Sequence, residues 1–295
     1  MTPRHTLLAF LVAAIWGINF TIIQIGLGSF PPLLLAALRF MIAAIPALFL
    51  PRPAVPWPKF VAIGTTLFLG QFALLFTSMA FGMPAGLASV VLQSQAFLTI
   101  LLASIVLREK PTPRQVAGSV IAFTGLTIIA GTIGSTGFSV TGLVLCLGAA
   151  LCWAVGNISL RGAGKVDMLA MVVWLSLIPP LPLLGLSMLL DGPASIGSAL
   201  SQVRLSGVSA VLYLSVLSTI LCFAIWGHLL KRYPAATVAP FSLLVPLFGA
   251  ASAAIVLGER FEVVRLAGMV AVLVGLVVVV APFRSDLRFL RRAGS

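Results

Sequence analysis

The sequence predicts an all-α membrane protein in which ten transmembrane helices form a five-plus-five inverted repeat. Two observations indicate the membrane. The 295 residues are 60% hydrophobic and only 8% charged, with a mean hydropathy of +1.18, which leaves too few polar side chains to cover a water-soluble globule. The chain also divides into apolar runs of about 20 residues, the length that crosses a bilayer core. A third observation indicates the repeat: VLREKPTPRQVAG at 106–118 returns as VLGERFEVVRLAG at 256–268.

Ten spans follow from the apolar runs, because clusters rich in glycine and proline separate them. The first run is longer than a typical signal-peptide core and has no cleavage site after it, so we expect it to be retained. The connections are short, and no extramembrane domain is expected. The predicted spans are 6–27, 32–50, 58–80, 84–107, 113–133, 140–161, 168–190, 206–230, 234–257 and 262–283.

The repeat extends well beyond the two opening stretches. At a constant offset of 150 positions, 12 of the 43 residues from Pro84 to Leu126 are identical in the second copy. The matches include a proline, a glutamate and two glycines, which apolar composition alone does not explain. We therefore predict an internal duplication, with a first repeat at 1–134 and a second at 135–295 that together form one membrane unit.

The basic residues predict the orientation. With a cytoplasmic N-terminus, 14 of the 18 Lys and Arg lie on the inner side, three lie on the outer side and Arg39 lies within a span. The positive-inside rule therefore places both termini in the cytoplasm. Because five spans are an odd number, the second repeat is inverted. Glu109 then lies inside and Glu259 outside, each expected to pair with a nearby arginine or helix start.

Several classes of site are disfavoured by the residues present. The cysteines lie in apolar runs without metal-ligand spacing, so no metal, cofactor or disulfide is expected. The basic residues do not form a nucleic-acid-binding face. No paired carboxylates, activated nucleophile or nucleotide-binding loop occurs in the spans, so we expect no catalytic residue. The alternative from another class is an intramembrane lipid-modifying enzyme. The cysteines are Cys146, Cys152 and Cys222.

The chain resembles the EamA branch of the drug/metabolite transporter superfamily over essentially its whole length. The resemblance rests on the ten spans, on WGINF at Trp16 to Phe20, on Arg39-Phe40, and on the glutamates that end spans four and nine. Within this branch, the chain is most similar to the YddG-type aromatic amino-acid exporters. The resemblance implies a basket of helices around a central cavity, with spans five and ten peripheral, and export of small metabolites by alternating access. In the second repeat, Trp153 returns but Asn157 is shifted by one position.

Candidate binding residues are polar or aromatic residues in mid-span, where such folds place their substrate site at the repeat interface. Mid-span hydroxyls such as Ser218 and Thr219 and the amide of Gln93 share this depth. The alternative interpretation is that these groups only hold neighbouring helices together. The residues predicted to bind substrate are Asn19, Gln71, Gln95, Trp153, Asn157 and Trp226.

Arg39 and three prolines complete the predicted site. No Asp or Glu lies inside a span to pair with Arg39, so its charge must meet backbone carbonyls, water or a substrate carboxylate. The structural role is favoured over direct binding. Prolines break helices, so Pro179, Pro180 and Pro246 are predicted gates or hinges. His228 is expected at a helix end.

The resulting prediction is a multi-pass exporter of the bacterial inner membrane that functions as a monomer. Its expected partners are the bilayer and a small neutral or zwitterionic substrate, with an aromatic or other neutral amino acid as the predicted class. The alternative within the same superfamily is another small drug or metabolite. Because no acid lies in a span, transport without strict proton coupling is expected.

Overall fold

A computed structural model describes residues 1–134, 138–161 and 166–280, and in these ranges the chain is helical with no strand. Short 3-10 and π-helical stretches connect several of the α-helices. The α-helices are α1 (Pro3–Leu27), α2 (Pro32–Ala43), α3 (Trp57–Ile63), α4 (Gln71–Ala80), α5 (Ala85–Val91), α6 (Ser94–Val106), α7 (Pro113–Ala130), α8 (Val140–Leu160), α9 (Met168–Leu175), α10 (Pro180–Leu190), α11 (Pro193–Ser201), α12 (Leu205–Leu212), α13 (Cys222–Arg232), α14 (Ala235–Val238), α15 (Val245–Leu257) and α16 (Val263–Val280).

Within the described ranges, eight helical segments are long and apolar enough to cross a bilayer. Two of the ten predicted spans are not among these eight. The helical segment of the second span, Pro32–Leu48, has only 17 residues. The fifth span, α7, is less apolar because its first turn carries Arg114 and Gln115. The structure therefore confirms an all-helical membrane protein. One helix was not predicted at all: α11 occupies the connection after the seventh span.

The two halves of the chain share local irregularities at the offset found in the sequence. A π-helical stretch occurs at Gly64–Gly70 and again at Tyr213–Leu221. Arg108 and Gly258 both have left-handed backbones, with φ of 56° and 68°. The following amides, of Glu109 and Glu259, donate to Ala103 and Ala253 at 3.3 and 3.2 Å. The matching sequence stretches therefore end their helices with the same backbone motif.

α7 and α16 cross through glycines. A Cβ added to Gly118 would lie 2.7 Å from the carbonyl oxygen of Gly275, and one added to Gly125 would lie 2.6 Å from that of Gly268. The two helices are therefore antiparallel and in backbone contact, which small residues permit in a membrane. Gly118 is the repeat equivalent of Gly268, and Gly125 of Gly275. The repeat therefore exchanges the contact between Gly118 and Gly275 with the contact between Gly268 and Gly125, as a two-fold axis does.

Capping residues and prolines determine several helix ends. Thr112 and Gln115 form a capping box at the start of α7, which satisfies two end groups at once. The seventh span is broken between Leu175 and Pro180. In the ninth span Pro246 follows a 3-10 segment, Ala239–Leu244. Predictions that involve the following residues lie outside the described ranges: Lys165, 281–283, Arg284, Asp286, Arg288, Arg291 and Arg292.

Candidate substrate site

Arg39 is the centre of a buried polar cluster. It lies in the middle of α2 and is only 3% exposed. Its Nε and Nη2 donate to Thr219 Oγ1 at 3.2 and 3.1 Å, and its Nη1 approaches Asn19 Oδ1 at 3.5 Å. Thr219 lies in the π-helical stretch of the eighth span. Arg39 therefore connects elements from both repeats.

Asn19 and Trp16 extend this cluster along α1, and Trp226 of α13 packs against it. Ser218 donates to Asn19 Oδ1 at 2.7 Å, and Trp16 Nε1 donates to the carbonyl oxygen of Ser218 at 2.9 Å. The ring of Trp226 lies 5.2 Å from that of Trp16, centroid to centroid. The structure thus brings together three of the predicted residues, Asn19, Arg39 and Trp226.

Two aromatic rings lie close to the guanidinium of Arg39, and Gln71 adjoins one of them in the sequence. The guanidinium carbon is 4.5 Å from the ring centroid of Phe72 and 5.5 Å from that of Phe40, within cation–π range. Gln71 precedes Phe72 in α4 and is only 2% exposed. No hydrogen bond joins its amide to any described residue. Its amide is therefore available to hydrogen-bond to a bound molecule.

The charge of Arg39 is not matched by a carboxylate in the described part of the chain. The four carboxylates with a bonded partner lie elsewhere, at Glu109, Asp167, Asp191 and Glu259. Neutral acceptors alone meet the guanidinium, and its Nη1 contact is long. A buried arginine in this state favours a carboxylate that approaches in the plane of its fork.

Gln95 and Asn157 form a second, separate cluster. The amide nitrogen of Asn157 donates to Gln95 Oε1 at 3.0 Å and to Thr99 Oγ1 at 3.2 Å. These bonds join α6 to α8. Trp153 lies one turn from Asn157 in α8 and packs against the main hydrophobic core. The two amides of this second cluster already hydrogen-bond to each other. The cluster therefore fits the alternative interpretation, in which such groups hold neighbouring helices together.

Ser218 and Thr219 were not among the residues predicted to bind substrate. The only sequence indication was their position in the middle of the span. A hydroxyl there can instead donate its hydrogen bond to a backbone carbonyl of its own helix. Thr219 does so, donating to the carbonyl oxygen of Leu214 at 2.8 Å. That bond leaves its oxygen free to accept from Arg39, which the sequence could not indicate.

Arg265 is one of the three basic residues counted on the outer side, and its burial was not predicted. It lies in the first turn of α16, beside Glu259, and is 1% exposed. Its Nε donates to Thr132 Oγ1 at 3.1 Å and its guanidinium carbon is 5.3 Å from the ring of Phe138. The side chain is buried because it reaches across to the end of α7.

Glu109 and Glu259 have structural partners at the helix ends, as predicted, and Asp167 has one as well. Arg161 Nη1 donates to both oxygens of Glu109 at 2.6 and 2.7 Å. Glu259 accepts from two backbone amides; burial raises the pKa of its carboxyl, and those hydrogen bonds oppose the rise. Lys231 donates to Asp167 at 2.5 Å and holds the pKa of that carboxyl below its ordinary value. His228 lies at a helix end, with its ring 5.7 Å from that of His5.

A cavity of about 530 Å³ opens at the end of the bundle where α1 ends and α2 begins. Gln24 and Ser29 line it, together with Ser195 of α11. The side-chain oxygens of Gln24 and Ser29 have no hydrogen-bond partner among the described residues. In the described ranges, no three His, Cys, Asp or Glu side chains are grouped to hold a metal ion.

Most of the chain matches one family of membrane transporters. The EamA-like transporter family matches residues 4–131 and again residues 140–281. The chain belongs to this family. Two copies of the family domain therefore account for the internal repeat, and the protein is a multi-span membrane transporter.

Several relatives carry functional names. A protein of Salmonella typhimurium, named a probable amino-acid metabolite efflux pump, is 43% identical over 290 residues, which cover 96% of this chain and 97% of that protein. One of Escherichia coli with the same name is 41% identical over 94% of each chain. A probable terminal-alkyne amino-acid exporter of Streptantibioticus cattleyicolor is 26% identical over 84% of each.

A solved structure shares the fold. It superposes on this chain with a TM-score of 0.65 at 20% sequence identity, covering 95% of this chain and 97% of its own. At that identity the likeness establishes the architecture alone.

Proposed function

We propose that the protein exports small neutral or zwitterionic metabolites, with aromatic and other neutral amino acids as the principal substrates, across a bacterial inner membrane. The names of the relatives at 41% and 43% identity support export and this class of substrate. The observation that carries the proposal for this chain is Arg39, a buried cation that only neutral acceptors meet among the described residues.

A substrate carboxylate fits this place for electrostatic and geometric reasons. It would supply the missing negative charge and two acceptors for the guanidinium fork. Gln71, buried and without a hydrogen-bond partner, would bond the same ligand. Phe72 and Trp226 would contact an apolar or aromatic side chain. Multiply anionic substrates fit poorly, because one cation cannot compensate several charges in a low dielectric.

The proposed architecture is ten spans arranged as an inverted repeat around a central cavity. The antiparallel exchange of glycines between α7 and α16 supports it, as do the irregularities that recur at an offset of 150. Both termini are proposed to be cytoplasmic, on the distribution of basic residues. Transport then proceeds by rocking of the two repeats in a monomer, with bends at Pro179, Pro180 and Pro246.

Gln95, Trp153 and Asn157 belong to this proposal as a second wall of the cavity. The hydrogen bond between Asn157 and Gln95 joins the fourth span to the sixth. In the repeat, the fourth span is equivalent to the ninth and the sixth span to the first. Asn157 and Gln95 would then act by holding α6 on α8 as well as by facing the substrate.

Reconstituted transport tests the substrate class. Purified protein in proteoliposomes is screened against the amino acids, and each substrate is compared with its carboxamide, which lacks the negative charge. We expect the carboxamide to be about tenfold to a hundredfold weaker, since a charged hydrogen bond contributes about 1.5–3 kcal/mol. Arg39→Gln should abolish this preference, whereas Arg39→Lys retains part of it.

The same experiment separates binding from a structural role of Arg39. If Arg39→Gln is folded and still prefers the carboxylate form, Arg39 does not bind the substrate. Mass spectrometry of the recovered substrate and lipid tests the enzyme alternative: a covalent product would contradict transport as the function.

A further inference from the structure

The cavity where α1 ends and α2 begins lies beyond the Arg39 cluster along the helix axes. Pro32 lines the cavity, and Arg39 lies seven residues later in the same helix, α2. Seven residues make about two turns of an α-helix and about 10 Å of its length. Pro32 and Arg39 therefore share one face of α2, with about 10 Å between them along the axis.

Leu35 fills the space between the cavity and Arg39. It lies one turn before Arg39 on the same face of α2 and is 0% exposed. Its side chain packs against Gly26 of α1, since a Cβ added to Gly26 would lie only 2.7 Å from Cδ2 of Leu35. Gly26 in turn lies two turns after Asn19 in α1. Leu35 and Gly26 therefore separate the cavity from the polar cluster around Arg39.

The walls of the cavity are polar but uncharged. Gln24 contributes an amide, and Ser29 and Ser195 contribute hydroxyls, whereas none of the described lining residues is charged. The buried oxygens of Gln24 and Ser29 have no hydrogen-bond partner among the described residues, which is uncommon for buried polar atoms. A half-turn of the Gln24 amide exchanges its oxygen and nitrogen, and a hydroxyl both donates and accepts. These walls can therefore meet either charged end of a zwitterion.

The cavity also has the size and the access of a ligand site. Its volume of about 530 Å³ lies within the range of about 300–1,000 Å³ that is usual for small-molecule sites. Ala80 and Ser195 are exposed where they line it, and Leu27 and Phe30 provide apolar contacts. Under the proposed orientation this end of the bundle is periplasmic. A ligand in the cavity would then exchange with the periplasm.

We propose that this cavity is a second substrate site, the outer site, which an amino acid occupies between leaving Arg39 and its release. The ammonium and carboxylate groups of an amino acid are attached to one carbon, so they cannot bind Arg39 and the walls of the outer site together. Neutral hydrogen bonds hold a zwitterion less tightly than charge-assisted ones, which favours release. The inference rests on the proposed function and adds to it a site that does not require a carboxylate.

Protection of an introduced cysteine from labelling measures binding at the outer site. Ser195→Cys places a thiol on its wall. In lipid nanodiscs, phenylalanine and phenylalaninamide, which lacks the carboxylate, should each slow the reaction of this thiol with a maleimide. Their apparent dissociation constants should agree within about threefold, because only neutral groups distinguish them. Ser201→Cys, exposed at the end of α11 and outside the cavity, is the matched control that neither compound should protect. The background replaces the native cysteines with alanine: Cys146, Cys152 and Cys222.

Three variants separate the outer site from the Arg39 site. Arg39→Gln should leave the protection of Ser195→Cys unchanged, although it abolishes the preference for a carboxylate in transport. Gln24→Leu and Ser29→Ala should each weaken protection about twofold to tenfold, the contribution of one neutral hydrogen bond. Neither should lower the midpoint of thermal unfolding, because the oxygens that they remove have no partner among the described residues. Ser29→Ala keeps the test available if Gln24→Leu does not fold.

The proposal is overturned if phenylalanine slows labelling no more at Ser195→Cys than at Ser201→Cys. Loss of protection in Arg39→Gln, or a preference for phenylalanine over phenylalaninamide of tenfold or more, would mean that the ligand binds at Arg39 alone. Protection that both Gln24→Leu and Ser29→Ala leave unchanged also contradicts the outer site.

The labelling assay needs no transport cycle, so the two proposals can be contradicted separately. Transport of an amino acid that gives no protection contradicts the outer site alone. Absence of transport for every amino acid contradicts the proposed function, and the outer site with it.

Discussion

Gly275→Ala tests the backbone contact between α7 and α16. The added Cβ would lie 2.5 Å from the carbonyl oxygen of Gly118 and 2.9 Å from Ala122 Cβ. An ordinary contact needs about 3.5 Å, so the two helices would separate locally by about 1 Å. Overpacking of this kind costs about 1–3 kcal/mol. Alanine returns up to about 1 kcal/mol of helix propensity, which leaves a net loss of about 1–2 kcal/mol.

Gly185→Ala is the matched control. This glycine also lies inside a helix, α10, but nothing is within 4 Å of its added Cβ. Only helix propensity changes, so this variant should be more stable than wild type by up to about 1 kcal/mol.

Thermal unfolding in detergent, followed by circular dichroism, compares the two glycine variants. We expect their unfolding free energies to differ by about 2–3 kcal/mol. Equal midpoints for Gly275→Ala and Gly185→Ala would refute the proposed close crossing.

Three further predictions concern the helix ends. Arg108→Gly should raise stability by about 1 kcal/mol in thermal unfolding, because Arg108 has φ of 56° and a left-handed conformation is unfavourable for a residue with a Cβ; no gain would contradict the assigned backbone. Because Lys231 lowers the pKa of Asp167, the stability from their pair should be present above pH 3.8 and lost as the pH falls through the folded pKa. The loss should stay below about 1 kcal/mol for this exposed pair and be absent in Asp167→Asn, which keeps a capping side chain. Cysteines that replace Glu109 and Glu259 should react with an impermeant reagent from opposite sides of the membrane; reaction from one side would exclude the inverted repeat.

The helical class and the two-repeat organisation could be predicted from the sequence because both depend on local pattern. Apolar length determines which segments can enter a bilayer, and the offset of 150 is visible in the letters alone. The recurrent π-helical stretches could not be predicted, since no residue type at Gly64 or Tyr213 specifies them. α11 was missed because a short helix at a membrane surface has no span-length apolar signal.

The candidate site was only partly predictable. Depth in a span identified Asn19, Arg39 and Trp226, which the structure brings into one cluster through Ser218 and Thr219. Depth alone does not give the direction in which a side chain points. Gln95 and Gln71 therefore could not be distinguished in the sequence, since both lie in mid-span. In the structure Gln95 accepts a hydrogen bond from Asn157, whereas the amide of Gln71 has no hydrogen bond to a described residue. The burial of Arg265 could not be predicted for a related reason, because a charge near a helix end can extend to water or across to a neighbour.

Counterflow in proteoliposomes tests the central claim, export of amino acids by alternating access. Vesicles loaded with unlabelled amino acid are diluted into a trace of labelled amino acid, with no pH or voltage gradient. Exchange through one alternating site should accumulate the label transiently, and Arg39→Gln should abolish the accumulation. No accumulation with any amino acid, or accumulation only under an imposed proton gradient, would contradict the account.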